Sequence, residues 1–68
     1  MPQFRVIDLR SDTGEPESVV IARSPEEAAL RALGEKGVRG GQNRNRLICR
    51  VYWHEDAQTN MVRLYRAL

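Results

Sequence analysis

Apolar and polar positions along this chain change period as it runs, and the changes mark its elements. Residues 3–10 (QFRVIDLR) begin with Phe4 and Val6 alternating against Arg5, then shift phase at Ile7 and Leu9. The reading is a strand with a bulge, or one partly buried on both faces. Residues 11–18 (SDTGEPES) are turn-rich, with Gly14 and Pro16. Residues 18–23 (SVVIAR) carry β-branched side chains at their centre and predict a second strand, paired with the first as an antiparallel hairpin. Period two then gives way to a helical pattern over residues 24–33 (SPEEAALRAL). A glycine-rich stretch follows at 34–46, a strand at 47–54 (LICRVYWH), a polar turn at 55–60, and a plainly alternating strand at 61–68 (MVRLYRAL).

The helix is specified by local chemistry. Ser24 is an N-cap whose hydroxyl can accept from a first-turn amide. Pro25 takes the first helical position, where its missing N–H costs nothing, and Glu27 three residues after Ser24 completes a capping box. Glu26 and Glu27 sit at the positive end of the helix dipole, and Glu27 with Arg31 is an i,i+4 pair worth roughly 0.3 kcal/mol. Ala29, Leu30 and Leu33 form the expected apolar stripe, and the alanines predict close approach to a sheet. Gly34 or Gly37 ends the helix.

Carrying the alternation through the later strands assigns faces. Leu47, Cys49, Val51 and Trp53 share one side and Ile48, Arg50, Tyr52 and His54 the other; Val62 and Leu64 oppose Arg63 and Tyr65. The helix covers the apolar side. The prediction is an α+β two-layer domain spanning residues 1–68, with one helix on a four-stranded antiparallel sheet in the order β-β-α-β-β. Its other face is expected to be open and rich in arginine and tyrosine. An exposed edge, such as that of the last strand, leaves pairing with a second copy open.

Composition narrows the function classes. With 41% hydrophobic and 29% charged residues the chain is a folded domain rather than a disordered one. A single cysteine, Cys49, allows no internal disulfide, and with one histidine, His54, it makes no zinc site. Cysteine usage suits a reducing cytoplasm, no signal peptide is expected, and no run approaches the ~20 apolar residues of a membrane span. Net charge is +2, yet residues 1–35 hold four Arg against seven acids and residues 36–68 hold seven Lys or Arg against two acids, giving −3 and +5.

The candidate binding residues follow from that imbalance. Arg5, Arg50, Tyr52, Arg63 and Tyr65 fall on the open face, where rings beside guanidinium groups can stack bases and hold phosphates, or anchor a protein partner. The same set would also serve a solvated face with ordinary cross-strand packing. Arg39, Arg44 and Arg46 make the glycine-rich connection a second, basic candidate, read as mobile; it lacks the order of a phosphate-binding P-loop. Asp12, Glu15 and Glu17 form an acidic tip. His54, Glu55 and Asp56 lie at a strand end and do not converge, no base accompanies Cys49, and no serine lies in a nucleophile elbow. Neither an enzymatic activity nor a cofactor is expected.

The layout resembles small phage-encoded anti-CRISPR proteins that act on type I effector complexes. The residues that carry it are the opening Phe4-Arg5-Val6-Ile7, the turn into Val19-Val20-Ile21-Ala22, the helix start with Ser24, Ala28 and Ala32, and the aromatic strand around Tyr52-Trp53. The resemblance implies a non-enzymatic inhibitor that binds an effector subunit and blocks target DNA. The join into the helix is also similar to a small archaeal-type ribosomal protein family. Neither resemblance supplies a motif that assigns a functional residue. A small nucleic-acid-binding domain using the same Arg/Tyr face is the alternative.

Overall fold

The helix forms where its caps place it. In a computed structural model that describes residues 2–11, 14–40 and 46–67, α1 spans Pro25–Leu33. Ser24 Oγ accepts the Glu27 N–H at 3.1 Å, and Gly34, at φ 69°, donates its N–H to the Leu30 carbonyl at 2.8 Å. The capping box is half made: the Glu27 carboxylate accepts from the Arg23 N–H at 2.7 Å, one residue ahead of the amide that motif uses. Arg31 meets Glu27 as the spacing predicts, at 3.7 Å. The buried stripe is Pro25, Ala28 and Ala29, at i, i+3 and i+4, so small side chains hold the helix close to the sheet. Leu30, expected in that stripe, is 49% exposed on the flank.

Beneath α1 lies one antiparallel sheet built from β1 (Gln3–Asp8), β2 (Glu17–Ile21), β3 (Gly37–Arg39), β4 (Leu47–Glu55) and β5 (Gln58–Arg66), in the order β2-β1-β4-β5-β3. The two-layer α+β architecture agrees with the expectation, but the sheet has five strands, not four. The extra strand, β3, comes from the stretch read as a mobile connection. Val38 lies opposite Tyr65, and Gly37 lets the backbone come so near β5 that a Cβ there would stand 3.0 Å from Leu64 Cβ. The last strand is therefore not an edge: β5 runs between β4 and β3, and the edges are β2 and β3.

The core lies between α1 and the sheet, with Phe4, Val6, Val51 and Leu64 fully buried against Ala28 and Ala29. Phe4 meets Trp53 in a tilted pair with ring centroids 5.5 Å apart. The phase shift in the first strand has no bulge behind it: pairing with β2 and β4 is unbroken, and Ile7 is simply half-buried on the far face. The bulge is in β4. Leu47 faces Tyr65 and Cys49 faces Leu64, leaving Ile48 unpaired, and Ile48 and Cys49 are both buried. Strict alternation had put Ile48 on the open face; the extra residue turns it into the core.

The β4–β5 hairpin closes tighter than the polar stretch 55–60 suggested. Glu55 pairs with Gln58, and the two residues between, Asp56 and Ala57, have φ of 53° and 63°. Alanine is penalised in that left-handed region, where its Cβ crowds the following carbonyl oxygen and glycine has no such clash. Ala57→Gly is expected to stabilise the protein by up to about 1 kcal/mol, a rise of several degrees in Tm by calorimetry.

An ion network ties the helix C-terminus to the sheet. Arg10 donates to both Asp8 carboxylate oxygens at 3.0 Å and to Glu35 Oε1 at 3.1 Å, and Arg66 donates to Glu35 Oε2 at 2.6 Å. Hydrogen bonds from Arg10 hold the Asp8 carboxyl below its usual range, and those from Arg66 and Arg10 do the same for Glu35. Both carboxyls take up protons more readily in the unfolded chain, so their contribution is complete above the ordinary values of 3.8 and 4.5 and is lost as pH falls through the lower folded values. Urea midpoints should therefore fall with pH below about 4.5, and Glu35→Gln should flatten that fall.

Candidate functional site

Among the described residues no helix lies over one face of the sheet, and the strand registers bring its side chains into rows. Val19, Arg5, Tyr52 and Met61 lie side by side across β2, β1, β4 and β5. The next row is Glu17, Ile7, Arg50 and Arg63. With strands roughly 4.8 Å apart, each row is about 15 Å long. Val19, Ile21 and Met61 stand 53%, 55% and 38% exposed, so the face carries uncovered apolar surface beside its arginines.

Tyr52 is the centre of the face. Arg5 Cζ lies 5.4 Å and Arg50 Cζ 6.0 Å from its ring centroid, each contact worth roughly 0.5–1 kcal/mol when exposed. Arg50 also donates to the Tyr52 hydroxyl at 3.2 Å and to Glu15 at 2.9 Å. Glu17 approaches Arg5 at 3.9 Å. The acidic tip read from the sequence thus leans onto the sheet at Glu15 and Glu17; Asp12 lies outside the described residues. Arg63 is exposed on the face and forms no salt bridge among the described residues. Tyr65 is half-buried, its ring lying against Gly40, where a Cβ would overlap it.

The basic connection does not join this face. Arg39 points to the helix side, where it donates to Glu26 at 2.6 Å. Arg46 is exposed and its carbonyl accepts the Arg66 N–H at 2.7 Å. Arg44 lies outside the described residues. The charge imbalance between the halves is largely cancelled in space, because Arg39, Arg50 and Arg66 pair with Glu26, Glu15 and Glu35 from the other half. Sequence reasoning missed Ile7, Val19, Ile21 and Met61; the signals available were the parity of strand two against strand one for Val19 and Ile21, and alternation with Arg5 and Arg63 within their own strands for Ile7 and Met61.

At one end of the face a cleft of about 200 Å³ is bordered by Gln3, Arg5, Tyr52, Trp53, His54 and Thr59. The Thr59 hydroxyl lies 3.3 Å from His54 Nδ1 there. Among the described residues no group of His, Cys, Asp or Glu is placed to hold a metal ion. Cys49 is buried, and desolvation pushes its thiol up to about 11. Iodoacetamide should leave Cys49 unmodified in the native protein and alkylate it in urea, read by mass spectrometry.

Compared with protein-family models, curated proteins and solved structures, the chain matches none. No helix among the described residues is long and apolar enough to cross a membrane.

Proposed function

We propose that this chain is a non-enzymatic binding protein that docks a protein partner on its uncovered sheet face. The observation that carries the reading is the row Val19, Arg5, Tyr52 and Met61, an apolar-cationic-aromatic band on a rigid antiparallel sheet. Arg, Tyr and Met are the side chains enriched at protein interfaces, and a rigid platform loses little entropy when it binds. The domain measures 33 by 26 Å in its two longer dimensions, room for the ~800 Å² that each partner gives to a standard interface.

The face suits a protein better than nucleic acid. Phosphate binding needs uncommitted cations, and here Arg50 is held by Glu15 while Glu17 sits beside Arg5. Two carboxylates on the same surface would repel a phosphate backbone. The layout resemblance to anti-CRISPR proteins makes a type I effector subunit the first partner to try, with block of target-DNA access as the consequence.

The test is capture by tagged protein from lysate containing a type I effector, with and without nuclease and across a salt series. Nuclease-resistant recovery of an effector subunit, weakly dependent on salt, is the expected result. Recovery that disappears with nuclease and falls steeply with salt would overturn it in favour of direct nucleic-acid binding.

A further inference from the structure

We propose that β2 is a dimerisation edge, on which two copies of the chain pair antiparallel about a two-fold axis at Val19 and join their sheets into one. The direction of each β2 backbone group follows from the bonds at its ends. Asp8 N–H bonds the Pro16 carbonyl and Ala22 N–H bonds the Pro2 carbonyl, and the register between them is unbroken. Even-numbered residues therefore turn their backbone groups toward β1, and Glu17, Val19 and Ile21 turn theirs to the free edge.

The chain itself closes the far end of that edge. The Ile21 carbonyl accepts from Arg31 at 3.0 Å, and the Arg23 N–H is taken by Glu27 at 2.7 Å. What stays open among the described residues is centred on Val19. Antiparallel pairing about that residue sets Val19 against Val19 of the second copy and Glu17 against Ile21; the Val19 pair can exchange two hydrogen bonds, and the Ile21 N–H can bond the Glu17 carbonyl of the other copy. The Val19 side chains then meet across the axis, covering surface that is 53% exposed in the single chain.

Charge selects the same arrangement. β2 begins beside Glu15 and Glu17 and ends beside Arg23 and Arg31. Antiparallel pairing lays the acidic start of each strand against the basic end of the other, whereas parallel pairing would stack like charges. The opposite edge offers no comparable surface: β3 is three residues long, lies next to Lys36 and carries the charged Arg39, features that blunt an edge. β2 has no proline, lysine or bulge. A two-fold axis at Val19 perpendicular to the sheet keeps both uncovered faces on one side, so the row Met61, Tyr52, Arg5, Val19 runs on into its counterpart.

Sedimentation equilibrium of the full chain over a concentration series tests the proposal. The expected species has twice the 7.8 kDa chain mass. Val19→Lys, which puts two ammonium groups face to face, should raise the dissociation constant at least about tenfold while leaving the circular dichroism at room temperature unchanged, and should remove the concentration dependence of Tm that a dimer gives the native chain. Glu15→Lys should weaken the dimer, and adding Arg23→Glu, which lies opposite it across the axis in this register, should restore it. A protein that stays at the single-chain mass up to about 1 mM would overturn the proposal, as would a dimer that Val19→Lys leaves intact and Tyr52→Ala abolishes. The first outcome leaves the docking of another protein on the sheet face untouched; the second would place a second copy of the chain on that face instead.

Discussion

Ile48→Ala is expected to destabilise the protein by about 2–5 kcal/mol, measured by urea unfolding at neutral pH. Ile48 is fully buried, and its side chain lies against Gly37 and near Leu64 under the helix. Truncation removes its transfer free energy and leaves a cavity that close-packed neighbours only partly fill. For a domain of 68 residues, with a total stability of roughly 3–10 kcal/mol, that is a large share of the whole. The size of the effect decides where the residue points. On an open sheet face the same change would stay within about 0.5 kcal/mol. Ile48→Val, losing one methylene, should cost about 0.5–1.5 kcal/mol and show that the trend follows volume. A loss under about 0.5 kcal/mol for alanine would place Ile48 outside the core and remove the bulge from the account.

Tyr52→Ala should weaken partner binding by about 2 kcal/mol or more, roughly 30-fold, in titration calorimetry against the captured partner. Tyr52 is half-buried at the middle of the uncovered face, with Arg5 and Arg50 at either side of its ring. Removing the ring takes away the central anchor and the surface on which Arg5 and Arg50 rest, although Arg50 keeps its bond to Glu15. Stability should change far less than affinity, because the core is on the other side of the sheet. Tyr52→Phe separates the ring from its hydroxyl: it loses only the bond from Arg50 and should keep most of the affinity. Equal losses for both variants would assign the role to the hydroxyl rather than to the stacked ring.

The parts of this fold that were legible in the sequence are those set by neighbours along the chain. Ser24, Pro25 and Gly34 place the helix ends through bonds spanning three or four residues, and the alternation of Val62, Arg63, Leu64 and Tyr65 assigns the faces of β5 correctly. What stayed hidden depends on distant pairings. The bulge leaves no trace because Ile48 and Cys49 are both apolar, so simple alternation fits as well. β3 is too short for a period to show, and its pairing with β5 exists only once Gly37 can pack on Leu64. The arginines mislead for the same reason. Arg39, Arg50 and Arg66 look like free cations in the sequence, yet their carboxylate partners lie 13, 35 and 31 residues away. At the candidate site Arg5, Tyr52, Arg50 and Arg63 were placed on the right face; Arg39, read as part of a separate basic connection, pairs on the helix side, and Val19 and Ile21 became visible only with the β1–β2 register.

The central claim is that the uncovered sheet face is the docking surface. The most direct measurement is nuclease-treated capture of a type I effector subunit by three tagged proteins side by side: the native chain, a face variant carrying Tyr52→Ala and Arg63→Glu, and a helix-side variant carrying Leu30→Glu. Each is first shown to be folded by circular dichroism. The native chain and the helix-side variant are expected to recover the subunit, and the face variant is not. Recovery by the face variant together with loss in the helix-side variant would contradict the claim and move the docking surface to the helix.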